Sequence, residues 1–422
     1  MSKFIFESYH FDKEKLSACF EYSFENGISF IEKVQFEAEP NYDEVTLEKA
    51  LFFAFVLIGT SYFKSFPSPN IEINFLLDDW QAKFFNSVFQ EGLSQFAYEN
   101  NLNRDNLAHF IGSSNDNSKP CEYKGEGILV LQSGGKDSLL TAKLLKENNK
   151  EFTSFYVSSG KYHPKLIDRL GFRLVTALRT IDIDNLKISS DNGGKNGHVP
   201  ITYIIQSLAV IQAILLGKSD ILTSVAHEGE EPHDLIGDLT VTHQWSKTWS
   251  AETQFSEYVS KYISPDIRIG SPLRAYSELL VAKMFVDHAW KDFGHIFSSC
   301  NVANYLQGED NSELKWCGDC PKCANSYLLF SPFLPANELK SIFDNQDLFI
   351  KSSLRMIFKG LLGVDGVSKP FECVGEIDEL RKAYHLSQEI GDYQSLPFDV
   401  PNSTFDYMKL YPAQDWAVKM LK

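Results

Sequence analysis

Positive charge is scarce in this chain: 40 Lys and Arg stand against 56 Asp and Glu, a net charge of −16 over 422 residues. That balance argues against non-specific binding to nucleic acid or to an anionic membrane surface, although it leaves room for a local basic pocket. Long hydrophobic runs are lacking as well. The longest, Ala50 to Thr60, falls well short of the ~20 residues that span a bilayer, so no membrane insertion is expected. Met1-Ser2-Lys3 leads directly into an alternating pattern and not into the apolar core of a secretion signal. Internal repeats and low-complexity stretches are not evident. Cysteine is sparse, seven in all, and four of the seven crowd between 300 and 323. Such clustering fits a metal site in a reducing compartment better than the disulfides of a secreted protein, so a cytoplasmic location is expected. What is present is ordinary for a soluble globular protein: 43% hydrophobic and 23% charged residues, with length for two or three domains.

The first third alternates. Phe4 to Tyr9 predicts one strand, and Phe20, Tyr22 and Phe24 against Cys19, Glu21 and Ser23 predict a second. Asn26-Gly27 signals a hairpin, with Ser29 to Phe36 returning. A helix is predicted over Leu47 to Phe63, a strand over Ile71 to Leu77 and a helix over Trp80 to Ala97. Residues 1–120 are thus expected to form an N-terminal α+β domain, closed by the polar linker Ser114 to Pro120. Strands then alternate with helices: Ile128–Gln132, a helix to about Asn149, Phe152–Val157, a helix near Pro164–Leu170, Arg173–Ala177, a helix over Thr202–Leu216 and Ile221–Ser224. This is the pattern of an α/β domain with a doubly wound parallel sheet, expected over 121–284, whose ligands sit at the carboxyl ends of the strands. Residues 285–422 read as a metal-bearing helical extension.

Ser133-Gly134-Gly135-Lys136-Asp137-Ser138 sits between the first of those strands and an amphipathic helix. Paired glycines let backbone N–H groups turn inward, the helix N-terminus adds positive potential, and the two serines and Lys136 add donors and charge. The loop is a candidate phosphate cradle. It is not a Walker A loop, because Val130 stands where that motif has its first glycine and Asp137 follows the lysine.

The second motif is Cys300, Cys317, Cys320 and Cys323, spaced C-x16-C-x2-C-x2-C, with Gly318 and Pro321 inside the knuckles. Two residues between cysteines let a tight turn aim both sulfurs at one ion, and four thiolates suit a closed structural Zn²⁺ site. An iron–sulfur cluster is the rival, since it also takes four cysteines.

Ser-Gly-Gly-x-Asp-Ser after a strand resembles the pyrophosphate loop of the N-type ATP pyrophosphatases (the PP-loop superfamily), which cleave ATP to AMP and pyrophosphate to activate a carboxylate or carbonyl oxygen. The deazaguanine synthase branch of that superfamily also carries a four-cysteine zinc site downstream of its loop. Further segments narrow the likeness: Asn196-Gly197-His198-Val199-Pro200, Thr242-His243-Gln244-Trp245-Ser246-Lys247, Pro272-Leu273-Arg274-Ala275-Tyr276, Ser299-Cys300-Asn301 and Lys369-Pro370-Phe371-Glu372-Cys373-Val374-Gly375-Glu376. In that order they resemble the UDP-N-acetylmuramoyl-L-alanyl-L-glutamate epimerase family of peptidoglycan precursor synthesis.

The resemblance implies an ATP-dependent epimerase that inverts the terminal L-glutamate of a nucleotide-sugar dipeptide through an acyl-adenylate. Ser133, Gly134, Gly135, Lys136, Asp137 and Ser138 would bind ATP with Mg²⁺. Lys136 would neutralise charge as pyrophosphate leaves. Cys373, His198 and His243 are candidates for the α-proton base, a thiolate or imidazoles that titrate near neutrality. Asn196, Gly197, Lys247, Arg274 and Glu372 would meet the substrate, with an ion pair to Glu278 or Glu252 the competing fate for Arg274 and Lys247. Zn²⁺ on Cys300, Cys317, Cys320 and Cys323 would be structural. The alternatives are a deazaguanine-synthase-like ligase forming an amide or nitrile, and a non-catalytic nucleotide-binding module. The sequence leaves the oligomeric state open.

Overall fold

The computed structural model describes residues 2–116, 118–160, 165–168, 171, 173–306 and 313–422. The alternation at the start becomes three antiparallel strands, β1 (Phe4–Asp12), β2 (Ser17–Phe24) and β3 (Ser29–Gln35), with β4 (Ile71–Ile73) parallel to β1. Gly27 makes the β2–β3 turn at φ +87°, a conformation that suits glycine. In β3 every second residue is buried, the signature of a sheet with one covered face.

The apolar run that follows is helical from Glu44 to Ile58, with Asp43 accepting a bond from the Thr46 N–H at its start. It breaks at Gly59, where a Cβ would lie 2.7 Å from a Phe6 ring carbon, so the missing side chain lets the helix press against β1. Glu44–Phe63 is long and apolar enough to cross a membrane by length and composition, but 78% of that stretch is buried inside the fold. The helix expected over Trp80 to Ala97 divides into Asp79–Gln90 and Ser94–Glu99.

After residue 120 come β5 (Ile128–Leu131), β6 (Phe152–Ser158), β7 (Leu174–Thr180) and β8 (Asp220–Leu222), a two-stranded ribbon of β9 (Asp234–Ile236) and β10 (Leu239–Val241), and β11 (Arg268–Gly270). Of the helix expected near Pro164–Leu170, Lys165–Asp168 is present; Pro164, Arg169 and Leu170 lie outside the described residues, as does Asn117 in the linker. The ribbon, the helices Ile183–Asp191 and Trp249–Tyr258, and β11 were not legible in the periodicity.

The nine strands other than the ribbon form one sheet in the order β11-β8-β5-β6-β7-β3-β2-β1-β4. Its centre, β11 through β7, is parallel. The N-terminal strands do not form a sheet of their own: β3 pairs antiparallel with β7 through Lys33–Gln35 and Thr180–Leu178. The chain runs from β5 outward to β6 and β7, then returns to lay β8 on the other side of β5. That reversal is a topological switch point, where parallel α/β sheets open a ligand crevice. Leu129 and Ile221 point into a core shared with the N-terminal strands, and Val130 and Leu222 into one shared with the C-terminal helices, so both faces are covered.

A buried ion pair ties the antiparallel strands to the parallel ones. Arg179 on β7 donates to Glu32 on β3 at 2.6 and 3.1 Å, Tyr62 donates to the same carboxylate, and Arg179 reaches Ser61. Every charge here is partnered, so removing one partner strands the other in the core. Arg179→Ala is expected to lower unfolding free energy by about 3–5 kcal/mol, read from urea midpoints.

Candidate active site and four-cysteine centre

The glycine loop stands at the carboxyl end of β5, beside the switch point. Gly134 has φ +80°, and Gly135 caps the helix Lys136–Glu147 without a side-chain bond, leaving first-turn N–H groups open to a ligand. Ser133 and Ser138 face each other with their hydroxyls 3.4 Å apart, and Ser138 donates to the Gly135 carbonyl. A cavity of about 310 Å³ opens here, lined by this loop, by Thr223 and Ser224 beyond β8, by Gln206, and by Ser298, Ser299 and Asn301.

A smaller chamber of about 60 Å³ adjoins it and shares Asp137, Glu228, Lys247, Ser299 and Lys322 with the first. Its charges are mostly paired: Lys136 with Asp137 at 2.7 Å and Glu278 at 3.6 Å, Lys247 with Glu228 at 3.1 Å. Burial works against both ammonium groups, but these carboxylates, and Cys373 beside Lys247, hold them firmly charged. Burial, reinforced by Glu228 and Asp137, pushes Glu278 up to about 7 against the pull of Lys136, and one of its oxygens has no hydrogen-bond partner. Among the described residues Lys322 forms no ion pair, and it stands on the wall of both chambers.

Cys373 lines the smaller chamber, and its Sγ lies 3.5 Å from Nε2 of His243. The third candidate joins them: the His198 and His243 rings, 45 positions apart in the chain, lie 4.5 Å apart. Three anchors fix the segment that carries the thiol: Gln244 donates to the Val374 carbonyl, Asn325 accepts from the Gly375 N–H, and His233 stacks on Phe371. His243 follows β10, which Ser94 ties to the helix Ser94–Glu99. Burial pushes His243 down to about 4 and His198 to about 3, His243 and Lys64 adding to the second effect. Both folded values lie below the ordinary 6.5, so protonation favours the unfolded chain. Stability they contribute is present above pH 6.5 and is lost as pH falls toward 4. The urea midpoint is expected to fall over that window, and less steeply in His198→Gln.

The other expected substrate residues scatter. Lys247 lines both chambers, and Glu372 accepts from Asn301 on the wall of the larger one. Asn196 and Gly197 line neither; Asn196 accepts from the Gly197 N–H, and a Cβ at Gly197 would press on Phe96. Arg274 lines neither chamber: it is 1% exposed, donates to Glu252 and to the Ala226 carbonyl, and braces the loop after β8 from inside the core. The competing ion pair won because a guanidinium with a buried carboxylate and a carbonyl in reach has its donors satisfied without a ligand.

The four cysteines converge. All four sulfurs lie within 4.8 Å of one another, with contacts of 3.7 Å (Cys300–Cys320), 3.7 Å (Cys317–Cys323) and 3.5 Å (Cys320–Cys323). Tetrahedral coordination at a Zn–S distance of about 2.3 Å sets neighbouring sulfurs about 3.8 Å apart, so the set can close on a single ion. Gly318 turns the first knuckle at φ +66°, Pro321 starts the helix Pro321–Phe330, and the Ala303 and Asp319 N–H groups donate to Cys300 and Cys317 sulfurs. Ser299 and Lys322 adjoin these cysteines in sequence, which couples the metal-ligand set to the walls of both chambers.

A mostly parallel α/β sheet with a glycine loop at its switch point, a charged double chamber and a thiol–imidazole pair defines an α/β protein with a candidate ligand site at the carboxyl ends of its strands. The MurL N-terminal domain matches residues 1–271 and the MurL C-terminal domain residues 296–400; the chain belongs to the MurL family. It is 31% identical to the UDP-N-acetyl-alpha-D-muramoyl-L-alanyl-L-glutamate epimerase of Xanthomonas oryzae pv. oryzae, over 91% of this chain and 85% of that one. It is 29% identical to the proteins of the same name from Salinispora tropica and a Micromonospora strain, over 94% of this chain and 87% and 89% of theirs.

Proposed function

We propose that this protein is an ATP-dependent epimerase that inverts the α-carbon of the terminal L-glutamate in UDP-MurNAc-L-Ala-L-Glu. One observation carries the reading: a thiol with an imidazole partner opens into the chamber that adjoins the glycine loop. The name borne by the matched relatives favours epimerisation over the deazaguanine-synthase-like ligase and over a non-catalytic module. In this reading 121–284 carries a PP-loop ATP site, 285–422 the metal centre, and 1–120 supports the base. With a nucleotide-sugar substrate, the reaction belongs in the cytoplasm.

The chemistry follows from acidity. A proton beside a carboxylate is hard to remove because the carbanion would meet a full negative charge. Attack of that carboxylate oxygen on the α-phosphorus of ATP expels pyrophosphate and leaves an acyl-adenylate, in which the charge is gone. Cys373, as thiolate, then takes the α-proton, a proton returns on the opposite face, and water cleaves the adenylate to AMP and the D-glutamyl product. Ser133–Ser138 cradles the β- and γ-phosphates. Asp137, with 26% of its side chain exposed, would hold Mg²⁺; the ion would screen the phosphate charge. Lys136 balances Asp137 and Glu278, and Lys322, on the wall of both chambers, joins it in neutralising the departing pyrophosphate.

Purified protein given ATP, Mg²⁺ and UDP-MurNAc-L-Ala-L-Glu is expected to form AMP, pyrophosphate and the D-glutamyl isomer together. AMP formed only with carboxydeazaguanine and ammonia would overturn the reading. For the cysteine centre, metal analysis is expected to find about one zinc per chain, and chelation to lower Tm. Iron with sulfide in its place would contradict that assignment.

A further inference from the structure

The thiol–imidazole contact continues into the N-terminal third of the chain. His243 Nδ1 lies 2.6 Å from Gln95 Oε1, and Gln95 Nε2 lies 2.7 Å from Glu99 Oε1. The direction of this relay is set from its outer end. An ionised carboxylate only accepts, so Glu99 must face the amide NH₂ of Gln95. The amide oxygen is therefore turned to His243, which must donate from Nδ1. Nε2 is left with its lone pair, and the hydrogen between it and Cys373 comes from the thiol. Gln95 is buried, and its four-residue spacing from Glu99 puts both on one face of the helix Ser94–Glu99.

From this geometry we propose that Gln95 and Glu99 are positioning residues that hold His243 in its Nδ1–H tautomer, so that Nε2 accepts the thiol proton and Cys373 serves as a thiolate base. The proposal rests on the reading of Cys373 as the α-proton acceptor. The balance is simple: the S–H proton moves to Nε2, the thiolate takes the α-proton and becomes a thiol, and the imidazolium keeps its proton until turnover resets the pair. Burial keeps the imidazole neutral in the resting chain. The S–H proton therefore passes to Nε2 as the sulfur reacts, whether with the substrate α-proton or with an alkylating agent.

Glu99→Gln tests the relay with almost no change of shape. A glutamine at 99 can donate, which frees the Gln95 amide to flip, present NH₂ to Nδ1 and reverse the tautomer. Gln95→Glu combined with Glu99→Gln restores the polarity, since the new carboxylate accepts from both sides. Alkylation of Cys373 by iodoacetamide, mapped by mass spectrometry against Cys121, is expected to slow about tenfold or more in Glu99→Gln and to recover in the double variant. Exchange of the substrate α-proton should follow the same order while pyrophosphate release holds. Equal Cys373 alkylation in Glu99→Gln and the native chain, or no recovery in the double variant, overturns the proposal. If the double variant fails to fold, Gln95→Leu, which breaks both bonds, must slow alkylation in its place. Alkylation needs neither ATP nor substrate, so a wrong substrate assignment would show as missing AMP with the alkylation order intact.

Discussion

Cys373→Ala is expected to slow solvent exchange of the substrate α-proton by about 10²–10⁴-fold while leaving pyrophosphate release near the native rate. The split follows from where the thiol sits. Cys373 lines the smaller chamber and not the larger one, and takes no part in the hydrogen bonds between the glycine loop's serines and backbone. Activation of the carboxylate therefore goes on without it, and the acyl-adenylate forms with no base to open the α-carbon. Loss of both activities would mark Cys373 as a structural residue, and unchanged exchange would remove it as the base. A rapid-quench comparison of labelled pyrophosphate and α-deuterium content separates the outcomes.

The opposite split is expected at the loop. Ser133→Ala and Asp137→Ala should each lower AMP formation by about 10²–10³-fold, and α-proton exchange should fall in step because it waits on the adenylate. Ser133 accepts from the Gly135 N–H and faces Ser138, so it shapes the cradle as well as donating to a phosphate. Asp137 is the partner of Lys136, so its loss also frees that ammonium from its closest carboxylate. Full pyrophosphate release from either variant would sink the phosphate-loop assignment. The Cys373 and Asp137 variants together order the two steps, since one should block only the second and the other both.

What the sequence disclosed is local. Six residues with a strand before and a helix after mark the loop, because the chemistry of a glycine turn is written in adjacent positions. The cysteine knuckles are legible for the same reason, their spacing being the geometry. Cys373 and His243 were legible as chemical types in suggestive segments, but their 3.5 Å contact joins positions 130 apart. Gln95 and Glu99 carried no signal, being polar residues on a short helix whose meaning comes from what lies across from them. Glu228, Glu278 and Lys322 gather at the chambers from three separate elements, and the sequence offered Arg274 either a substrate or an ion pair to Glu278 or Glu252 without the long-range contact that decides between them. The pairing of β3 with β7 was hidden as well. Alternation predicts each strand, whereas the register between them depends on a contact across 145 residues, that of Val34 with Arg179.

The central claim is that adenylation exists to acidify a carbon. The most direct measurement is turnover of UDP-MurNAc-L-Ala-L-Glu in D₂O, with deuterium at the glutamate α-carbon followed by mass spectrometry in the presence and absence of ATP. The account predicts one deuterium in the D-glutamyl product and no exchange without ATP. Inversion that keeps the α-hydrogen, or exchange that proceeds without ATP, would contradict it.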